Sequence, residues 1–357
     1  MTDIIVIGGG IAGLSAAARL SADASVTLIE AEKALGYHAS GRSAALIEQN
    51  YGAPSVQALN RASVSYLQDG GYLSPRGLMI IADHHEEDAF KADVAEMGVN
   101  PITQAEAMAF VPILDPAKIA FAAYHEDAQD IDTDRLLQDF ARVLRGNGGT
   151  IVTGQRAQAI RHDASGWQVD TGTQTLRAKT LVNAAGAWAD ELATMAGVEP
   201  LGITPHRRSM ARIATPGGHD PARWPMFFGV GETWYAKPDA GALLISPADE
   251  DPVPPQDAWP DDMVLAEGLD RYQNMVAEPL TKPIATWAGL RSFAPDRTLV
   301  LGPDPTQPDF IWCAGQGGYG FQTCAAASQL LADLTLERAP AMDAQTVAAL
   351  RPDRLRE

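Results

Sequence analysis

The opening stretch, Thr2 to Glu30, constrains this chain more than any other. Asp3-Ile4-Ile5-Val6-Ile7 is a short, β-branched apolar run, the pattern of a fully buried strand. It runs into Gly8-Gly9-Gly10-Ile11-Ala12-Gly13, which fits G-x-G-x-x-G at Gly8, Gly10 and Gly13. Ile11 to Leu20 is rich in Ala and Leu and is expected to be a helix packed on that strand. Val26-Thr27-Leu28-Ile29-Glu30 reads as a second strand ending in an acid. Gly8 permits a tight turn, Gly10 lets backbone approach a pyrophosphate, and Gly13 lets the helix sit close to the sheet. The helix N-terminus offers free N–H groups and partial positive charge to phosphates. Glu30 is suited to accept from both hydroxyls of an adenosine ribose, which favours FAD or NAD over NADP. A glycine-rich turn alone is weak evidence. Between strand and helix, with an acid ending the next strand, it reads as a dinucleotide site rather than a turn serving packing only.

The chain has 357 residues, too many for one small domain and suited to two intertwined ones. Its net charge of −18 argues against nucleic-acid or anionic-membrane partners, because an acidic surface is repelled by both. No apolar run approaches the ~20 residues of a membrane span. With a strand starting so near Met1, no signal peptide is expected, and a soluble cytoplasmic protein is the expectation. Cys313 and Cys324 do not form a disulfide scaffold or a zinc pattern, and the seven histidines show no metal-ligand spacing, so no metal is expected. His84-His85-Glu86-Glu87 reads as a solvated surface turn.

Past the second strand, Gly36 to Ala45 is dominated by small residues that let backbone pass close to a flat ligand, with Arg42 and Ser43 available to phosphate and ring oxygens. Helices are expected over Pro54–Leu67, Glu86–Met97 and Thr103–Phe110, and a strand region over Tyr72–Ala82. Thr133 is the expected N-cap of a helix over Arg135–Leu144, and the acids around it are read as capping rather than catalytic. Gly148-Gly149-Thr150-Ile151-Val152 turns into a strand, and Trp167–Asp170 with Leu176–Ala178 suggests a hairpin. Thr180 to Asn183 is a strand that leads through the small-residue turn Ala184-Ala185-Gly186-Ala187-Trp188 into a helix. From Ile203 the composition shifts to Pro, Trp, Phe and Arg, and several strands of a second sheet are expected, one of which is placed to point Tyr235 into a cleft. Asp251 to Pro260 holds four prolines and must be a loop. The strand Phe310–Ala314 ends in Gly315-Gln316-Gly317-Gly318-Tyr319-Gly320, a second glycine-rich helix entry suited to a carbonyl oxygen or anion.

In this order and spacing, the first glycine motif with Glu30, Gly41-Arg42-Ser43, Asn183 to Trp188, Trp287-Ala288-Gly289-Leu290-Arg291 and Gly317-Gly318-Tyr319-Gly320 make the chain resemble the FAD-dependent amino-acid oxidoreductases of the D-amino acid oxidase and glycine oxidase superfamily. Within that superfamily the chain resembles the D-arginine dehydrogenase-like members. The resemblance covers nearly the whole chain. It implies an α/β (α+β overall) fold, with a Rossmann-type FAD-binding domain over residues 1–76, 129–201 and 287–357 and a smaller mixed-sheet substrate domain over 77–128 and 202–286. It implies non-covalent FAD, a small amino-acid or amine substrate, and dioxygen or a quinone-like electron acceptor. Hydride passes from the substrate α-carbon to flavin in such enzymes, and the imine formed hydrolyses to keto acid and ammonia.

The resemblance also implies roles. Arg291 and Arg208 match carboxylate-binding positions, which suits the bidentate fork of arginine. Tyr235 matches a phenol on the same group, Tyr51 a pocket aromatic on a mobile loop, and Gly318 a carbonyl that accepts from the amine. Cofactor contacts are expected from Gly8, Gly10, Ile11, Ala12, Gly13, Glu30, Ala31, Gly41, Arg42, Ser43, Ala44 and Ala157. Further contacts are expected from Ala185, Gly186, Trp188, Arg291, Gly317, Gly318, Tyr319, Gly320, Gln322 and Thr323. Two positions depart from the D-arginine dehydrogenase pattern: Leu46 stands where those chains carry a histidine, and Leu78 where they carry a glutamate that reads basic side chains. Glu48 is either a pocket acid or a solvent-exposed one. The expected substrate is therefore a neutral or apolar D-amino acid. The alternatives are a secondary amine of the glycine or sarcosine kind, a 2-hydroxy acid, which also needs paired arginines, and a non-catalytic dinucleotide-binding module.

Overall fold

The computed structural model describes residues 2–356. Thr2–Ile7 lies at the centre of a parallel sheet, flanked by Val26–Ile29 and then Thr150–Val152 on one side, and by Thr175–Asn183 and then Phe310–Ala314 on the other. Val300–Pro303 closes that edge in antiparallel pairing. The first half of Thr175–Asn183 instead continues a meander with Gly166–Asp170 and Ala159–Asp163. The central strands are covered on both faces, which is why their sequences are unbroken apolar runs. One face packs on Ile11–Leu20, which also contacts Thr133–Gly146 and Gly320–Thr335. The other buries Trp167 and Trp312 beneath Ala189–Met195.

A second, mixed sheet of eight strands has Ala285–Phe293 at one edge, then Thr204–Ala214, Ala242–Ser246, Tyr235–Asp239, Met226–Gly229, Leu78–Ala82, Phe121–His125 and Asn100–Ile102. Its residues alternate between two cores. Met79, Ile81, Ala211, Phe227, Ala236 and Ile245 pack with Trp234 and Tyr272 under the helix Asp262–Gln273. Leu78, Ile80, Met210, Phe228, Tyr235 and Leu244 face the other way, toward Ala44 and Leu46. The period of two thus aims one row of side chains at the first domain. A small sheet of Leu46–Ile47, Gln129–Ile131 and Leu73–Pro75 ties the crossings together.

Two expectations need correction. Ala285–Phe293 pairs along its whole length with Thr204–Ala214, so a boundary at residue 287 cuts a strand, and the second sheet runs to Phe293. The cap of Thr133–Gly146 is Asp132, not Thr133: its carboxylate accepts from Arg135 N at 3.1 Å, while Thr133 is already helical. No helix among the described residues is long and apolar enough to cross a membrane.

Candidate active site

The first glycine turn is shaped by contacts that leave no room for side chains. Gly8 has φ +115, and a Cβ there would lie 2.2 Å from Ala184 O. A Cβ on Gly13 would lie 1.9 Å from Gly8 O, so this glycine seats the helix on the strand. Gly9 N donates to Glu30 Oε2 at 2.5 Å and Glu32 N to Oε1 at 2.7 Å, which fixes the carboxylate at the end of its strand. Ile11 N donates to Ser40 Oγ at 3.0 Å. Gly10 is different: a Cβ there meets only Ser40 Oγ within 4 Å, and at Gly186 it would meet nothing. These two backbones face open space.

That space is a cavity of about 410 Å³. Gly8, Gly10, Ile11, Ala12, Glu30 and Ala31 form one wall, and Arg42, Ser43, Ala44 and Ala157 another. Ala185, Gly186 and Trp188 close the side, and Gly317, Gly318, Gly320, Arg291, Arg208 and Tyr235 form the far end. Arg42 donates to Ala258 O at 3.1 Å and Ala288 O at 2.8 Å and pairs with Asp257, so the proline-rich loop is strapped to the rim.

Five residues expected to touch a cofactor do not border this cavity. Gly13 serves packing, and Gly41 lies against Gly36 O, 2.5 Å from where its Cβ would be. Tyr319 turns its ring toward Tyr51 and Phe293. Thr323 is fully buried and its hydroxyl donates to Tyr319 O at 2.8 Å, one turn back. Gln322 borders a second chamber instead, where its Oε1 accepts from Glu48 N at 3.1 Å.

This second chamber, of about 110 Å³, shares Ser43, Ala44, Tyr235, Arg291 and Gly318 with the first. Arg208 faces Gly289 and Arg291 faces His206 across the antiparallel pair, so the two arginines are diagonal neighbours on one face. Arg208 is 8% exposed. Its Nε donates to Asp249 O at 2.9 Å and its Nη2 to Glu250 Oε1 at 2.9 Å, while Nη1 is buried without a partner. Burial, with the charge of Arg291, lowers the pKa of Arg208. Burial also works against the charge of Arg291, but Tyr51, Tyr235, Glu232 and Glu250 outweigh it and raise its pKa. A Cβ on Gly318 would lie 2.9 Å from Arg291 Cζ, so a side chain there would displace that guanidinium.

Tyr51 Oη donates to Glu232 Oε2 at 3.0 Å. Burial, reinforced by Glu232, pushes its pKa up, so at neutral pH the hydroxyl is a donor and not a base. Leu46 and Leu78 line the chamber with Met97, Met226 and Phe228, and Leu78 is 3% exposed. Glu48 also lines it and is only 6% exposed, which removes the reading of a solvent-exposed acid. Its Oε2 lies 2.9 Å from His125 Nε2.

Three residues here carry no sequence signal. Glu232 sits at φ +51 after Gly231 in a turn without a motif. Glu250 and His125 reach the site only through strand pairing distant in sequence.

The family model for FAD dependent oxidoreductases (DAO) matches residues 3–334. Hydrogen cyanide synthase subunit HcnC of Pseudomonas aeruginosa is 29% identical over 227 residues, which is 61% of this chain and 51% of that protein. The chain thus spans about half the length of the first curated relatives it matches. L-proline dehydrogenase from P. horikoshii superposes with a TM-score of 0.84 at 23% identity, covering 99% of this chain and 97% of that one. Glycine oxidase from Geobacillus kaustophilus gives 0.82 at 22% identity, with 98% of each chain covered. At these identities the superpositions show a shared fold.

Proposed function

The chain belongs to the DAO family of FAD-dependent oxidoreductases, and from that premise we propose that it oxidises the C–N bond of an amino acid or amine bearing a carboxylate, with a neutral D-amino acid as the preferred substrate. FAD is the cofactor of the family, and the first cavity fits it: a fixed Glu30 carboxylate at one end, and open space over the Gly10 and Gly186 backbones. When bound, the flavin supplies a two-electron acceptor for a hydride from the substrate α-carbon.

The protein's own residues do the rest. The observation that carries the reading is the unpartnered, buried Nη1 of Arg208, which lines the first cavity beside Arg291, the arginine common to both chambers. A buried donor without a partner is costly, and a carboxylate satisfies it while pairing with both guanidinium groups. Tyr235, buried and also common to both chambers, adds a hydroxyl. Gly318 offers its carbonyl to the amine. The two cations also disfavour an ammonium nearby, so the substrate amine is held neutral, as hydride loss requires. Tyr51 keeps its proton and closes the chamber against Glu232. The wall of Leu46, Leu78, Met97, Met226 and Phe228 favours an apolar side chain.

The test is anaerobic mixing of the flavin-loaded protein with D- and L-amino acids, secondary amino acids and the matching 2-hydroxy acids. Flavin bleaching by D-amino acids above all others is the expected result, and re-oxidation on admitting air then separates an oxidase from a dehydrogenase. Bleaching by hydroxy acids alone, or by nothing, overturns the reading.

A further inference from the structure

The second chamber holds a contradiction. Its wall is apolar, yet it includes the buried carboxylate of Glu48. A free carboxylate there would attract a cationic side chain, which the apolar wall would not. His125 resolves this from the flank of Leu78. It stands opposite Leu78 across the strand pair, does not border the chamber, and its side chain is 10% exposed.

Glu48 is anchored through its backbone and through one carboxylate oxygen. Its N–H donates to Gln322 Oε1 at 3.1 Å, its carbonyl accepts from Asn60 Nδ2 at 3.1 Å, and Oε1 accepts from Asn50 N at 3.0 Å. Only Oε2 remains, and it lies 2.9 Å from His125 Nε2, an ion pair when the imidazole is protonated. The other acid of the chamber, Glu232, is engaged by Tyr51.

We propose that the His125–Glu48 pair fixes the charge class of the substrate side chain: His125 occupies the carboxylate that a basic side chain would need, and so holds the chamber to neutral substrates without touching them. This rests on the amino-acid reading above. His125 is a positioning residue acting through Glu48. In a site of low dielectric the field of the carboxylate is cancelled when the imidazolium sits beside it, and restored when that charge is removed.

The experiment measures binding, not turnover. Isocaproate and ε-aminocaproate carry the carboxylate but no α-amine, so they occupy the clamp without being oxidised. Their Kd values are read from the perturbed absorbance of the flavin-loaded protein. In wild type isocaproate binds more tightly. In His125→Gln the ratio shifts toward ε-aminocaproate by roughly tenfold or more, the scale of one charge pair in a partly buried site. The double variant Glu48→Gln/His125→Gln returns to the wild-type ratio, which a merely structural role for His125 does not produce.

A ratio unmoved in His125→Gln, or moved equally in the double variant, overturns the proposal. Should His125→Gln fail to hold flavin, Glu48→Gln alone decides: an unchanged ratio agrees with a carboxylate already neutralised, and a loss of ε-aminocaproate binding shows that Glu48 reads cations in the native protein. Failure of the broader reading looks different, since no amino acid then bleaches the wild-type flavin whatever these ratios show.

Discussion

Arg208 and Arg291, diagonal neighbours on adjacent strands, share one carboxylate: Glu250 Oε1 lies 2.9 Å from Arg208 Nη2 and 3.9 Å from Arg291 Nη1. Its other oxygen lies 2.7 Å from Arg297 Nη2. Burial works against ionising Glu250, but Arg297 and the two site arginines lower its pKa, so it stays charged. Glu250 is shared among three guanidinium groups, so it does not neutralise the two site arginines, and a substrate carboxylate can add to the pair.

Arg291→Ala is expected to keep flavin and lose catalytic efficiency. Removing one partner of a buried charge pair costs roughly 3–5 kcal/mol, or ~10²–10⁴ in kcat/KM. Arg291→Lys is also poor, because an ammonium cannot make the two-pronged contact. The measurement is steady-state kinetics beside the bound-flavin spectrum, and wild-type efficiency in Arg291→Ala refutes the carboxylate role.

The purified protein is expected to be yellow, and acid precipitation is expected to release its flavin. Cys313 and Cys324 are both buried, burial pushes their pKa up to about 12, and neither borders the cofactor cavity. A covalent thioether would need an exposed thiolate at the ring. Glu30→Gln weakens flavin binding by roughly tenfold, the value of one charge-assisted hydrogen bond. Titrating apoprotein with FAD by fluorescence checks this, and flavin left in the acid pellet contradicts the non-covalent assignment.

The His125–Glu48 pair also leaves a mark on stability. Burial lowers the His125 pKa, but Glu48 and Asp127 more than offset it, so the folded value is raised. A raised folded value means that the pair's contribution is fully present below the unfolded pKa of about 6.5 and is lost as pH rises through the folded value. The difference in Tm between wild type and His125→Gln is therefore expected to be larger near about pH 6 than near about pH 9. A difference independent of pH means the imidazole is neutral throughout.

The shape of the first glycine turn was legible because its signals are local and steric. Gly8 takes the positive φ a tight turn needs, Gly13 seats the helix on the strand, and Glu30 directly follows its strand. Arg208, Arg291 and Tyr235 converge because period-two strands put them on one face, which the sequence pattern allows but does not pair. Position in a motif misled at Tyr319 and Thr323, whose side chains pack inward on the helix Gly320–Thr335 and its neighbours rather than toward the cavity. His125, Glu232 and Glu250 were not legible. Each depends on tertiary pairing between distant segments, and none falls within a motif.

The side-chain preference follows from Leu78 and its surroundings. Leu78 stands in the row of Ile80, Met210, Phe228 and Tyr235 that faces the first domain, and it borders the chamber beside Leu46, Met97 and Met226. An apolar side chain placed there gains about 25 cal/mol per Å² removed from water. A cationic one loses several kcal/mol of hydration, even after relaxation, unless a carboxylate meets it. Glu48 is paired with His125 and Glu232 is bonded by Tyr51, so neither is free to do so. Together these effects place D-leucine, D-methionine and D-phenylalanine above D-arginine and D-lysine in kcat/KM. The measurement is that panel at one pH with the flavin-loaded protein. A basic substrate ahead by about tenfold or more, worth roughly 1.4 kcal/mol, would mean that an acid of the chamber is available to the substrate. Leu78→Glu combined with His125→Gln supplies such an acid deliberately and is expected to shift the order toward D-arginine and D-lysine, because the new carboxylate then stands on the chamber wall with no histidine opposite it.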